Sequence, residues 1–244
     1  MGRHLRTYTL LRENFATMVD KVIVIYSDKS NYGNSDDRIT ELVFTSKLPC
    51  QWINLEPDPK LPPHQNEVNK RNFGIKIAKE QGFTHFISGD MDEFYKKDEF
   101  EAEKERVEMG NMNGIVCPLH VYIKSPTLFC REHTLVPAIH KLYHNTQLGN
   151  FMHYPFNRDE QGNCHIDPCR RINCFDRIQM SEMVMYHLSY VRKNIDLKID
   201  NSSANLRRSR QIIYDELSNA APGYMSKLYH KPMEESPNYF NIEI

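Results

Sequence analysis

Three short apolar runs constrain the fold of this chain more than any other feature of its sequence. They are KVIVIYS at residues 21–27, CQWINLE at 50–56 and FTHFIS at 83–88. The first is a continuous β-branched run, which is typical of a strand buried on both faces of a parallel sheet. The sequence therefore predicts a sheet built at least partly from these three runs.

Segments with helical spacing of apolar residues lie before and between the runs. They predict helices at residues 5–18, in a segment that Ser35 caps, and at residues 65–81, where Gly82 ends the helix. The resulting order, a helix before each strand, predicts a parallel sheet with right-handed crossovers.

The pattern changes beyond Gly114 and predicts a mixed second half. Strands are predicted at 114–124, at 135–144 and near 183–191, with a loop-rich segment at 145–177 and a helix at 203–218. No flexible linker separates the halves, so we expect a single α/β domain over residues 1–244. Residues 1–95 form its first half and residues 96–244 its second.

Charge and hydropathy exclude several classes of protein. The chain has 31 Lys and Arg against 32 Asp and Glu, which gives no reason to expect a nucleic-acid partner. No apolar run approaches the roughly 20 residues that a membrane span needs. The basic N-terminus has no apolar stretch behind it, so no signal peptide is predicted. We expect a cytoplasmic protein without a membrane span.

Six cysteines are present, and three of them are spaced five residues apart. These are Cys164, Cys169 and Cys174, with His165 beside the first. Zinc sites favour closer pairs brought together by a tight turn, so this spacing matches poorly. We expect free thiols in a reducing compartment, with a zinc site as the alternative.

The feature with the clearest chemistry is Asp90-Met91-Asp92, which directly follows the third apolar run. Ligands of open α/β sheets bind beyond the carboxyl ends of the strands. Two carboxylates one residue apart in such a loop can turn toward one hard cation. Mg²⁺ and Mn²⁺ accept one or two protein carboxylates and complete their shell with water and phosphate oxygens. The alternative is a solvated acidic turn.

Two sequence segments resemble the glycosyltransferases of the GT-A fold, in particular family 2-type enzymes. One is the helix NEVNKRNFGI at 66–75 followed by GFTHFISGDMDEFY at 82–95, and the other is YHLSYVR at 186–192 with Lys198 after it. The KVIVIYSDKSNYG segment at 21–33 resembles the second strand of that fold and its donor-side loop. The resemblance implies a three-layer α/β/α sandwich with a mostly parallel central sheet and a mixed C-terminal half.

The resemblance also implies an activity and a set of site residues. The activity is metal-dependent transfer of a sugar from a nucleotide-diphospho-sugar to an acceptor hydroxyl, with Mn²⁺ or Mg²⁺ as cofactor. The donor-binding and metal-binding roles are assigned to the residues of this chain that match the family's motif. The metal ligands expected are Asp90, Asp92 and His187, and the donor-binding residues expected are Tyr26, Ser27, Asp28, Arg71, Asn72, Asp90, Arg192 and Lys198.

Several of these assignments have a plainer alternative. His187 taken alone is typical of a buried core histidine, and Arg71 of a solvated helix residue. Inverting transfer needs a base to deprotonate the acceptor hydroxyl, and Asp167 lies in the right part of the chain for that role. Asp159 and Glu160 compete with it, and retaining chemistry needs no such base.

Two other functions stay open at the level of sequence. One is nucleotidyl transfer on a related sheet, although no glycine-rich loop follows the first strand. The other is a binding module that keeps the fold without catalysis. It is favoured by the short segment at 1–10, in which the first strand of the resembled fold is either shortened to Thr7–Leu11 or missing.

Overall fold

The protein, described here from a computed structural model, is a mixed α/β protein. The structure describes residues 14–35, 50–149, 165–173, 176–202 and 206–243. Residues 5–13 of the helix predicted at 5–18, the predicted helix after Ser35, the predicted first strand at Thr7–Leu11 and the competing carboxylates Asp159 and Glu160 lie outside these residues.

Four α-helices and nine strands are found in the described residues. The helices are α1 (Pro63–Glu80), α2 (Lys97–Met109), α3 (Ile195–Asn201) and α4 (Arg210–Asn219), with a 3-10 turn at Leu206–Ser209 before α4. The strands are β1 (Val22–Tyr26), β2 (Cys50–Asn54), β3 (His85–Ile87), β4 (Glu93–Phe94), β5 (Gly114–Ile123), β6 (Leu128–Lys141), β7 (Ile178–Met180), β8 (Met185–Tyr190) and β9 (Glu234–Glu235).

Local sequence explains the best-predicted helix, α1. Pro63 occupies its first turn, where a missing N–H costs nothing and the fixed φ suits a helix. Gly82 follows its last turn with a φ of +80°, a left-handed conformation that glycine adopts without strain. Gly74 on α1 lies close to Ile25 of β1, where an added Cβ would be 3.6 Å from the Ile25 side chain. The helix therefore packs on the first strand.

The strands form two sheets, and only the smaller one is wholly parallel. β1 and β2 pair in parallel as a two-stranded sheet. The larger sheet has the order β3-β6-β5-β8-β4, with β7 added to β5 and β9 added to β6. In it, β5 pairs in parallel with β7 and β8, whereas β3–β6, β5–β6, β4–β8 and β6–β9 are antiparallel.

This arrangement corrects the prediction of a mostly parallel central sheet. The third apolar run does form a strand, but β3 pairs antiparallel with β6 and has no described pairing with β1 or β2. The reason is the hairpin of β5 and β6, whose long antiparallel ladder forms the centre of the sheet and offers its outer edge to β3. The predicted mixed second half is confirmed.

The two faces of the large sheet bury different sets of residues. Residues directly opposite one another on paired strands point to the same face, so Glu93 of β4, His187 of β8 and Val121 of β5 share one face. Their neighbours Phe94 and Tyr186 point to the other face, where they form an aromatic cluster with Phe240. The polar residues near the Asp90 loop are therefore separated from this aromatic cluster by the sheet itself.

Candidate functional site

The loop between β3 and β4 carries Asp90 and Asp92 and is held in a tight turn. The backbone N–H of Glu93 donates to the carbonyl of Asp90 at 3.2 Å. The Glu93 carboxylate in turn accepts the backbone N–H of Asp90 at 2.8 Å. The carbonyl of Asp92 accepts the backbone N–H of Leu188 at 2.8 Å, which ties the loop to β8. The turn thus holds Asp90 and Asp92 at the edge of the large sheet.

Asp92 is brought against three basic side chains from a distant part of the chain. Arg192 donates to its Oδ2 at 2.5 Å and Lys198 donates to the same oxygen at 3.3 Å. His187 Nε2 lies 3.4 Å from its Oδ1. The predicted return of the 186–198 segment to the Asp90 loop is therefore confirmed, although Asp92 and Arg192 are 100 residues apart in sequence.

Asp90 is held by two guanidinium groups. Arg71, on α1, donates to both oxygens of Asp90 at 3.0 Å. Arg170 donates to Oδ2 at 3.1 Å. Arg71 also donates to the Ser88 hydroxyl at 2.8 Å and to Glu67 at 2.8 Å, and its side chain is only 7% exposed. Arg71 is therefore a buried partner of Asp90, and the alternative of a solvated helix residue is wrong.

Arg170 and Glu93 form a buried ion pair that the sequence analysis did not predict. Their side chains are 3% and 2% exposed, and the guanidinium contacts both carboxylate oxygens of Glu93. Arg170 also donates to the carbonyl of Ser88 at 3.0 Å and lies, through Nε, 3.0 Å from Asp167 Oδ2. A basic residue three positions after Asp167 was visible in the sequence, but nothing local indicated its partner 77 residues away.

The basic residues keep both site carboxylates ionised. Desolvation alone would raise the pKa of Asp90, but Arg71 and Arg170 outweigh it and lower that pKa to about 2. Desolvation likewise opposes ionisation of Asp92, yet Lys198, His187 and Arg192 bring its pKa well below the ordinary value. Both groups are therefore anions at any physiological pH.

The hydrogen bonds leave specific oxygens able to bind a cation. A carboxylate offers about four lone-pair positions, and the described residues use three on Asp90, one of them at Oδ1. On Asp92 the two donors share Oδ2, while Oδ1 faces His187. Two neighbouring ligands of an octahedral ion with bonds of about 2.1 Å lie about 3 Å apart. The 3.4 Å between Asp92 Oδ1 and His187 Nε2 is close to that spacing.

The buried histidine nitrogen supports the same interpretation. Nε2 of His187 is inaccessible to solvent and has no hydrogen-bond partner among the described residues. Within those residues no cluster of three or more His, Cys, Asp or Glu side chains has the geometry of a metal site. Mg²⁺ and Mn²⁺ need fewer protein ligands than that, since water and phosphate oxygens complete their shells. Asp92 Oδ1 and His187 Nε2 therefore have the spacing of two neighbouring ligands of a hydrated divalent ion, and the described residues do not form a closed protein cage.

Two carboxylates lie on the side of the site that is formed by β6. Residues 165–167 pair with this strand, because the N–H of Leu135 donates to the carbonyl of His165 at 2.8 Å and the N–H of Asp167 donates to the carbonyl of Leu135 at 3.1 Å. Asp167 itself accepts the N–H of Cys169 at 2.8 Å and faces Arg170. The second carboxylate is Glu132 of β6, which pairs with Leu119 of β5. The register of the β5–β6 ladder shifts beside this pair, between Pro118 and Leu119.

The environments of these two carboxylates differ. Asp167 is paired with a guanidinium, whereas burial raises the pKa of Glu132 above its ordinary value. A hydrogen bond from Thr134 and the charge of His187 oppose that rise, and the charge of Asp167 adds to it. Glu132 was not predicted from the sequence, because it lies in the polar stretch Arg131–Thr134 of β6 and no local pattern distinguishes it.

The predicted nucleotide-side residues lie at the end of β1 and make contacts of their own. Tyr26 packs edge-on against Trp52 at 6.1 Å between ring centroids. The buried Ser27 hydroxyl donates to Glu56 at 3.1 Å, and the N–H of Asp28 faces the same carboxylate oxygen at 3.4 Å. These three residues share the end of β1, and the contacts described above join them to Trp52 of β2 and to Glu56 just after it.

The loop after β1 contacts α1, which carries Arg71, and α3, which carries Lys198. The Asn34 amide donates to Asn201 of α3, the helix that carries Lys198, at 2.8 Å. The Asn66 amide, on α1 with Arg71, approaches the carbonyl of Asn31 at 3.5 Å. This loop therefore adjoins the helices that supply Arg71 and Lys198.

Asn72 has a structural contact. Its amide donates to the carbonyl of Leu148 at 2.8 Å and accepts the N–H of Leu148 at 2.7 Å.

Cys169 is partly buried, and burial raises its thiol pKa to about 12. Cys164 and Cys174 lie outside the described residues, so the expected absence of a zinc site stays a prediction.

Comparison with known proteins adds no family to this description. The chain matches no protein-family model and is not significantly similar to any curated protein. Among the described helices none is long and apolar enough to cross a membrane.

Proposed function

We propose that this chain is a metal-dependent glycosyltransferase, which transfers a sugar from a nucleotide-diphospho-sugar to an acceptor hydroxyl. The observation that carries the proposal is the pair of ionised carboxylates at the β3–β4 loop, surrounded by Arg71, Arg170, Arg192 and Lys198. Carboxylates of this kind hold a divalent ion, and the cations beside them suit the phosphates that such an ion carries.

The fold supports the same proposal and a more specific architecture. The mixed α/β architecture, the parallel β1–β2 pair with α1 packed on it, and an acidic loop after a strand agree with a GT-A arrangement. We propose the three-layer form of that fold for the whole chain, with residues 1–95 on the donor side and 96–244 on the acceptor side.

The residues present fit the divalent ion that this function requires. Asp92 Oδ1 and His187 Nε2 are the nearest pair of donors, and Asp90 adds its remaining lone pair directly or through water. Mn²⁺ or Mg²⁺ bound there would neutralise the donor's diphosphate and make the nucleoside diphosphate a better leaving group.

Charge at the site supports a requirement for that ion. Five carboxylates face four arginine and lysine side chains in the network. The carboxylates are Asp90, Asp92, Glu93, Asp167 and Glu67, and the cations are Arg71, Arg170, Arg192 and Lys198. This excess of one negative charge repels a bare diphosphate, whereas a divalent ion makes the site positive by one.

The transfer step places different demands on the two sides of the site. The acceptor oxygen forms a bond to the anomeric carbon, the bond from that carbon to the phosphate oxygen breaks, and the electron pair leaves with the nucleoside diphosphate. We assign the stabilisation of that charge to Arg192 and Lys198, because both cations lie against Asp92. In an inverting reaction the acceptor proton passes to a carboxylate, for which Asp167 is our candidate and Glu132 the alternative.

Glu132 is the alternative because its environment favours proton uptake. Paired titratable groups whose surroundings separate their pKa values take different roles in catalysis. Arg170 lies against Asp167 in an ion pair, while burial favours the protonated form of Glu132. Comparing Asp167→Asn with Glu132→Gln in one turnover assay assigns the base, because only loss of the base abolishes transfer while donor binding is kept.

The test of the function is a screen of nucleotide-sugars for thermal stabilisation, with Mn²⁺ and with EDTA. A ligand at 100 times its Kd stabilises the folded chain by about 2.7 kcal/mol, which in a chain of this size raises Tm by about 5–10 °C. We expect one nucleotide to act with Mn²⁺ and none with EDTA. The matching nucleotide-sugar should then release its nucleoside diphosphate.

The other outcomes of this screen have distinct meanings. Metal-dependent binding without release, for every donor and with water or added sugars as acceptor, would favour the non-catalytic binding module. Stabilisation by nucleoside triphosphates alone would favour nucleotidyl transfer. Absence of any metal-dependent binding would contradict the proposed function.

A further inference from the structure

The buried guanidinium of Arg170 touches more segments of the candidate site than any other described side chain. It contacts Glu93 of β4, the carbonyl of Ser88 after β3, Asp90 of the acidic loop and Asp167 of the segment that follows β6. Two of these partners, Asp90 and Asp167, are partly exposed at 50% and 26%, whereas Glu93 is 2% exposed. Arg170 thus has one buried partner, Glu93, and two partly exposed partners, Asp90 and Asp167.

We propose that Arg170 is a positioning residue, which fixes Asp90 on the donor side relative to Asp167 on the acceptor side. Glu93 anchors it, because that residue is itself set by the pairing of β4 with β8, opposite His187. The planar guanidinium then spans from Asp90 through one terminal nitrogen to Asp167 through Nε. The proposal rests on the proposed function for its catalytic consequence, but not for its geometry.

Stability alone does not account for this arrangement. Replacing a buried ion pair with neutral groups of similar volume is often neutral or stabilising, whereas removing one partner is strongly destabilising. An Arg170–Glu93 pair serving only stability would need no contacts beyond Glu93. The contacts with Asp90 and Asp167 tie together two loops that have no other ion pair between them among the described residues.

Loss of Arg170 should affect turnover more than it affects ligand binding. Asp92 keeps its own partners Arg192, Lys198 and His187 when Arg170 is lost, so a metal and nucleotide retain most of their contacts. The reacting groups, however, lose their alignment, and a misplacement of about 1 Å can lower a rate about 100-fold. We expect about 100-fold lower turnover and less than about 10-fold weaker binding of Mn²⁺ with nucleoside diphosphate.

The test compares Arg170→Met with the double variant Glu93→Gln/Arg170→Met. The single change leaves the Glu93 carboxylate buried without its partner and should lower Tm strongly. In the double variant the glutamine carbonyl can still accept the N–H of Asp90. We expect Tm to recover in the double variant while turnover stays low. Arg170→Lys should also turn over slowly, because an ammonium cannot reach both carboxylates.

Hydrogen exchange supplies a readout that needs no activity. We expect faster amide exchange in both 88–93 and 165–173 of the double variant, measured by mass spectrometry on the full chain. Asn113→Ala is the matched control, since it removes a buried amide that bonds Asp176 and Tyr143 at the start of β5. It should lower Tm and leave exchange in those two segments and turnover per folded molecule unchanged.

The outcomes separate this inference from the proposed function. Unchanged exchange in 88–93 and 165–173 overturns the positioning role, whatever the activity. Wild-type turnover in a double variant with recovered Tm overturns it as well. A wild-type chain that binds neither Mn²⁺ nor any nucleoside diphosphate contradicts the proposed function, while coupled loosening of both segments still supports the position assigned to Arg170.

Discussion

At the scale of single residues, the site depends on the unequal use of the oxygens of Asp92. Its Oδ2 accepts both Arg192 and Lys198, while Oδ1 faces the buried nitrogen of His187. Asp90 is shared between two guanidinium groups and retains fewer free lone pairs. In the proposed metal site, Asp92 is therefore the better direct ligand, and Asp90 would contribute its remaining lone pair or a water-mediated contact.

Replacing Asp92 with asparagine tests the metal assignment. Asp92→Asn should lower Mn²⁺-dependent turnover of a nucleotide-sugar at least about 100-fold, because it removes the anionic oxygen closest to His187. Tm should change little, since Arg192 and Lys198 keep access to solvent. Asp215→Asn, which removes an exposed carboxylate on α4, is the control. Full activity of Asp92→Asn, or equal activity of the wild type in EDTA, would contradict the assignment.

His187 and Arg192 should affect turnover to different degrees. His187→Ala removes a candidate metal ligand and should lower kcat about 100-fold, and Arg192→Ala should lower it about 10-fold, because it removes one of two cations that face the leaving group. Steady-state kinetics with saturating donor measures both. If His187 is only a core residue, His187→Ala will lower Tm and leave the activity of each folded molecule unchanged.

At the scale of elements, the acidic loop is fixed by a two-residue strand at the edge of the sheet. β4 pairs with β8 through Glu93 and Phe94 only. On the far face Phe240 packs against Phe94 and Tyr186, with ring centroids at 5.1 Å and 5.3 Å. Lys96 lies 3.9 Å from the ring centroid of Tyr239 in the same cluster. The segment around Phe240 therefore supports the short strand from behind.

Removing the Phe240 ring should loosen this edge. Two aromatic pairs at about 0.5–1.5 kcal/mol each, in addition to the lost burial of the ring, predict that Phe240→Ala lowers the free energy of unfolding by at least about 1–3 kcal/mol. We also expect faster amide exchange at residues 92–94, measured on the intact chain. Met225→Ala, at a side chain that is 59% exposed, is the control and should change neither quantity. Protection at 92–94 equal to that of the wild type would show that β8 alone holds the strand.

Prediction of the elements succeeded where the signal was local. The spacing in 65–81 and the terminal Gly82 identified α1, and the apolar runs identified β1, β2 and β3. The helix α2 was missed, although Asp98 and Glu99 in its first turn and the buried Phe100 and Val107, two turns apart, carry a helical signal. α3 was missed as well, and β6 begins at Leu128, seven residues before its predicted start.

At the scale of the whole molecule, the centre of the large sheet contains a buried, neutral histidine. His140 of β6 is 1% exposed and lies opposite Gly114 of β5, where an added Cβ would be 2.0 Å from Nδ1. Phe86 of β3 flanks its ring at 5.7 Å. Desolvation by burial lowers the pKa of His140 to about 3, so the folded chain holds this ring uncharged.

The stability of the molecule should therefore fall in weak acid. Between about pH 6.5 and pH 3 the unfolded chain protonates His140 and the folded chain does not, so unfolding takes up a proton. The free energy of unfolding then decreases by about 1.4 kcal/mol for each unit that pH falls in this window. His140→Leu should reduce the slope in urea unfolding curves, while the exposed His64→Leu should leave it unchanged. An unaltered slope in His140→Leu would mean that other groups dominate acid unfolding.

The sequence by itself determined the positions of β1, β2, α1 and β3 along the chain and the position of an acidic loop after β3. Both follow from apolar periodicity and from polar residues that interrupt it, which are properties of neighbouring residues. The resemblance of the 186–192 segment also predicted the meeting of His187 and Asp92. Only the tertiary structure decided that β3 pairs antiparallel with β6, and that Arg170 and Glu93 form the buried pair behind Asp90. Sheet order and buried ion pairs join residues far apart in the chain, and they depend on complementary charge and shape that leave no periodic pattern in the sequence.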